Sequence, residues 1–146
     1  PDTTTGSDVA PRKIQRNLAL IYEREAEKLR EAAREDPATA EENTAKAQDL
    51  EAKAIKIWKD LDTPFAEARI LQIEAREHRA NKRYFEAVAL LDQARYIDPG
   101  DATWNPASDL IIEIKLEGGI PLTRSERRAI EREKTAGPCK GQPIGA

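Results

Sequence analysis

Apolar residues in this chain recur at spacings of three and four, and the pattern is cut at intervals by Pro, Gly and short polar residues. That period gathers apolar side chains on one face of a helix. A first helix is expected from residues 9–12 to about Arg34, with Ile14, Leu18, Ile21, Tyr22, Ala26, Leu29 and Ala33 on its buried face. Asp8 stands where a cap is needed, and Pro11 is tolerated in a first turn. The segment "EDP" ends this helix and starts the next, with Asp36 as cap, Pro37 as first residue and Glu41 and Glu42 at the positive end of the dipole. Its seam reads Ala47, Leu50, Ala54, Ile57, Trp58 and Leu61.

The same device recurs at "DTP", where Thr63 caps a helix beginning at Pro64 with Ala68, Leu71, Ala75 and His78 as its stripe. "ANKR" makes a turn, and a fourth helix follows from about Arg83 to Ile97, carrying Phe85, Val88 and Leu91, with Tyr84, Ala87 and Ala94 beside them. Asn105 and Pro106 start a fifth, with Ala107, Leu110, Ile111 and Ile114 on one side and a stop at Gly118 and Gly119. "LIIEIKLE" within it partly alternates like a strand, but its proline start and the want of a partner strand favour helix. "TRSE", residues 123–126, is a reciprocal capping box opening a short polar sixth helix to about Thr135. The fold class is therefore all-α, about six helices in three antiparallel hairpins. A polar arm (1–8) and a Gly/Pro-rich tail (137–146) flank one domain, residues 9–136.

Within it, Leu71, Ala75, His78, Tyr84, Ala87, Leu91, Ala94 and Pro99 fall at spacings that resemble a tetratricopeptide repeat, a helix–turn–helix unit of about 34 residues. Small residues sit where two helices of such a unit approach closely, and the proline ends it. The likeness is good over residues 68–101 and only a faint echo over 33–67, where Ala40, Ala52 and Pro64 fall in register with Ala75, Ala87 and Pro99. It departs from the family pattern at Glu74, where Leu is usual, and at His78, where an aromatic is common. The resemblance implies a short solenoid with atypical capping hairpins, whose first helices line a groove for a partner chain.

On the helix from Pro64, Arg69, Gln72, Arg76 and Arg79 form a single ridge by their spacing. If that ridge lines the groove, its guanidiniums suit an acidic segment or a terminal carboxylate, which they grip by bidentate, charge-assisted bonds. The plainer reading is a solvated face on which Glu74 and Glu77 pair locally with the arginines. Trp104, in "DATWNP", is a candidate interface anchor, whereas Trp58 is expected in the core. His78 reads as a partly buried packing residue with one satisfied nitrogen.

Composition narrows the classes further. The chain is 35% charged but carries a net charge of only −3 with signs interspersed, so no strong field draws in nucleic acid or an anionic membrane. The arginines of "RSERRAIEREK" are diluted by glutamates, which makes a nucleic-acid adaptor a distant alternative. No apolar run approaches the roughly 20 residues needed to span a bilayer. Cys139 is the single cysteine and reads as an unpaired thiol, with an intermolecular disulfide or other covalent link as the alternative. No nucleophile stands beside a base, no metal-ligand spacing occurs and no phosphate loop is present, so neither catalysis nor a cofactor is expected. The sequence begins at Pro1 and contains no Met, so either a leader was removed or this is a fragment. A cleaved secretory leader is the commoner reason and favours an extracytoplasmic location, with a cytoplasmic one as the alternative. These features point to a non-catalytic interaction or assembly module, an accessory subunit of a larger complex. A self-assembling subunit using its tails and edge helices is the alternative.

Overall fold

A computed structural model describes residues 9–100 and 105–141, with side chains described for 11–100 and 105–134. Six α-helices follow one another among these residues: α1 (Val9–Glu35), α2 (Ala40–Leu61), α3 (Pro64–Ala80), α4 (Tyr84–Ile97), α5 (Pro106–Gly118) and α6 (Arg124–Gly141). No strand occurs among the described residues. The helices pack pairwise, α1 on α2 and α3 on α4, as hairpins. No helix of the described residues is long and apolar enough to cross a membrane.

The helix ends follow from local chemistry. Asp36 accepts from the Ala38 amide at 3.1 Å, and Pro37–Thr39 forms a 3-10 turn before α2 begins. Thr63 accepts from the Ala66 amide at 3.0 Å and Asn105 from the Ala107 amide at 2.9 Å, each followed by a proline that needs no amide partner in the first turn. Gly119 ends α5 at φ 71°, a left-handed conformation that an L side chain resists. Thr123 and Glu126 close the expected reciprocal box, at 2.8 and 3.1 Å. Only the last helix overruns its expected end: its backbone stays helical through Gly137 and Pro138 to Gly141. A proline removes one backbone bond and crowds the preceding turn, which weakens a helix without obliging it to stop.

Two apolar cores share α3. Ala19, Ala54, Trp58, Ala66 and Ile73 form the first, between α1, α2 and α3, with Trp58 and Phe65 edge to face at 5.6 Å. The second joins Ala75, Ala87 and Leu91 to Ala107, Leu110, Ile111 and Ile114 of α5. All four residues expected on the inner side of α5 are buried.

The outer hairpins depart from the simple apolar stripe. In α1 the buried positions are Ala19, Glu23, Ala26 and Arg30, and in α2 they are Ala47, Glu51, Ala54 and Trp58. Small alanines let the two helices approach, and the charged residues between them pair across the interface. Ile14 (64% exposed) and Ile21 (47%), expected inside, therefore face outward. On α4, Phe85 is 73% exposed, because the buried register Ala87, Leu91 and Ala94 turns it away from the core. In α3, Leu71 and His78 are half-buried while Ile73 takes a core position. His78 Nδ1 accepts from Arg83 Nε at 3.0 Å.

Candidate partner-binding groove

Two buried ionic clusters tie the first hairpin to α3. Glu23 of α1, 4% exposed, accepts from Trp58 Nε1 of α2 at 2.6 Å and from the guanidinium of Arg69 on α3. Two turns on, Arg30 of α1 donates Nε and Nη2 to the two oxygens of Glu51 on α2, both at 2.7 Å, and Nη2 also to Glu77 on α3. Burial would lower the Arg30 pKa, but the Glu51 and Glu77 carboxylates outweigh it and raise it, so the guanidinium stays charged. Burial likewise pushes the Glu77 carboxyl up, yet bonds from Arg30, Gln48 and Asn81 hold it below the usual range.

The four residues expected to form a ridge on α3 lie in that arrangement, but turned inward. Gln72 and Arg79 are buried, and Arg69 and Arg76 are mostly covered. Arg76 reaches Glu27 of α1 at 3.5 Å and Glu23 at 3.9 Å. Arg79 reaches Glu117 of α5 at 2.6 Å and Glu113 at 3.4 Å. The arginines thus face carboxylates of α1 and α5, the helices on either side, rather than Glu74 or Glu77 of their own helix. Arg69 and Gln72 line a cleft of about 340 Å³ with Phe65 and Pro106. Trp104 lies outside the described residues, as do the arm 1–8 and the side chain of Cys139.

Arg76 and Arg79 form part of a groove bounded by α1 on one side and α5 and α6 on the other. A cleft of about 200 Å³ lies between Arg24, Lys28 and Arg34 of α1 and the two α3 arginines. A wider depression of about 580 Å³ shares Glu27, Arg76 and Glu113 with it and continues over Leu110, Ile112, Leu116 and Ile130. The α1 wall is therefore cationic and the α5–α6 wall apolar, with acidic residues at its edge. Arg24, Lys28 and Arg34 are exposed and form no ion pair among the described residues. Glu27 and Glu113 of the cleft are engaged by Arg76 and Arg79, leaving Glu31 as the one opposing charge.

Neither the three α1 cations nor Arg30 is picked out by an apolar-stripe reading. The charge pattern of the sequence does not single them out either. Arg24 and Lys28 are like charges four residues apart, a pairing that disfavours the isolated helix. Glu27 and Glu31 stand three residues beyond them and offset that cost.

Comparison with protein-family models, with curated proteins and with solved structures finds no match to this chain.

Proposed function

We propose that this chain is a non-catalytic protein-interaction module, a tetratricopeptide-like stack of three hairpins whose groove receives an acidic segment of a partner protein. The observation that carries this reading is the asymmetry of the groove: three cations on α1, without an ion pair among the described residues, oppose a largely apolar wall on α5 and α6. A segment with carboxylates on one edge and apolar side chains on the other complements both walls. The cations steer and orient it, and the apolar wall supplies most of the contact energy. Arg76 and Arg79 serve in this reading as the floor, held by Glu23, Glu27 and Glu117, and Arg69 and Gln72 line the neighbouring cleft, while Arg24, Lys28 and Arg34 make the exposed contacts. An accessory role in a larger assembly accords with such a module.

Fluorescence anisotropy across peptides of alternating acidic and apolar residues tests the reading. Binding is expected for these and not for the same peptides with Lys in place of Glu; equal binding of both sets contradicts a charge-oriented groove.

A self-assembling subunit is the second reading, favoured by Phe85 and Tyr96, which are 73% and 87% exposed and lie three turns apart on one side of α4. Sedimentation over a hundredfold range of concentration separates the two. A groove binder keeps its mass, and a self-assembler gains it.

A further inference from the structure

Arg30 is the buried centre of the α1–α3 contact, yet its hydrogen bonding is incomplete. Its side chain is 4% exposed, and Nε and Nη2 are engaged by Glu51 and Glu77. Nη1 is buried with no hydrogen-bond partner among the described residues. The planar guanidinium fixes Nη1 on the side away from the Nε–Glu51 contact, and it cannot turn to find a partner without breaking the bidentate pair. Arg30 also lines the small cleft in which Arg24, Lys28 and Arg34 stand. Arg30 thus lines a cleft with surplus positive charge and carries a buried donor without a partner, although buried donors are satisfied in nearly all native proteins.

We propose that this cleft is an oxyanion seat: Arg30 Nη1 bonds one carboxylate or phosphate group at its inner end, and Arg24, Lys28 and Arg34 balance the charge at its mouth. The cleft volume, about 200 Å³, lies below the roughly 300–1,000 Å³ of pockets that enclose a whole organic ligand. It therefore takes a single anionic group, not a nucleotide. The oxyanion arrives either as free phosphate or as a side-chain carboxylate of a bound segment; the second source rests on the groove reading above, the first does not.

The test observes the Arg30 Nε–H resonance by ¹H–¹⁵N NMR of the whole chain, during titration first with inorganic phosphate and then with an end-blocked tetraglutamate peptide. A saturable shift with phosphate is expected. The variant Arg24→Gln/Lys28→Gln/Arg34→Gln, which alters only exposed side chains, is expected to weaken the apparent affinity about tenfold or more. The variant Lys56→Gln/Lys59→Gln/Arg128→Gln removes equal charge from exposed positions elsewhere and should hold within about twofold. An Arg30 signal that stays still with both probes, or equal weakening by the two variants, overturns the seat. If both probes move it, the seat serves a partner carboxylate. If phosphate alone moves it, the seat stands as a free-phosphate site and the groove reading loses that support. If the peptide binds while Arg30 does not respond, the groove reading stands and the seat falls.

Discussion

Arg30 and Glu51 meet in a bidentate pair, both contacts at 2.7 Å, with side chains 4% and 8% exposed. They lie on different helices of the first hairpin, and the same guanidinium reaches Glu77 on the second. One side chain thus joins three helices beside the cleft it lines.

Removal of a single partner from this pair is expected to be costly. Arg30→Ala leaves Glu51 charged, buried and unpaired, a change of about 3–5 kcal/mol. The double variant Arg30→Met/Glu51→Leu replaces charge with apolar volume and is expected to recover most of that loss. Urea denaturation of the two variants and the parent measures both. A single variant as stable as the parent would show that the pair does not hold the hairpins together.

Gly118 lies beneath Tyr84. A Cβ at Gly118 would stand 2.5 Å from the Tyr84 ring and 2.8 Å from its Cβ, and the latter atom cannot swing aside by a rotamer change. Alanine gains at most about 1 kcal/mol in helix propensity, whereas overpacking costs about 1–3 kcal/mol. Gly118→Ala is therefore expected to lower Tm, and Tyr84→Ala in the same chain to reverse part of the loss. Thermal unfolding of the three variants reads the coupling.

Acid should loosen the helix junctions at Glu77 and Glu126. Burial pushes the Glu126 carboxyl up, but the Thr123 amide and the Lys115 ammonium outweigh it and hold it below the usual range; Glu77 is held down in the same direction by Arg30. A depressed folded-state pKa contributes stability that is complete above the ordinary glutamate value, about 4.3, and disappears as pH falls through the folded value. Stability is expected to fall below about pH 4.3, and less steeply in Glu77→Gln/Glu126→Gln. Denaturant midpoints across pH 2.5–6, a range bracketing that value on the order of two units each side, check the slope.

The exposed aromatic and the covered isoleucine make an opposed pair. Phe85→Ser, at a position 73% exposed, should change stability by no more than about 0.5 kcal/mol. Ile73→Ala, at 3% exposure, should cost about 2–5 kcal/mol. Equal effects in chemical denaturation would place the α3–α4 register elsewhere.

The helix order was legible because its punctuation is local. Thr63, Asn105, Gly119 and the Thr123–Glu126 box act within a few residues of themselves, and each caps or stops a helix as expected, whereas Asp36 caps the 3-10 turn Pro37–Thr39 and the α-helix expected from Pro37 starts at Ala40. The core of α5 was equally legible, since Ala107, Leu110, Ile111 and Ile114 are apolar and all buried. The first hairpin was not. Half of its buried seam is charged or hydrogen-bonded, and a stripe drawn by hydrophobicity passes over Glu23, Arg30 and Glu51 to choose Ile14 and Ile21. Which carboxylate an arginine meets is a tertiary matter, so the partners of Arg69, Arg76 and Arg79 on α1 and α5 lie 34 or more residues away in sequence. The ridge itself was visible; its inward direction was not.

The most direct test is affinity capture from the native source with three forms of the chain: the parent, Arg24→Glu/Lys28→Glu/Arg34→Glu, and Lys56→Glu/Lys59→Glu/Arg128→Glu as a control of equal charge. Proteins recovered by the parent and the control but lost by the α1 variant are expected, and one of them should carry an acidic–apolar segment that binds the isolated parent chain. Recovery of the same proteins by all three forms would contradict the groove and move the contact to another surface.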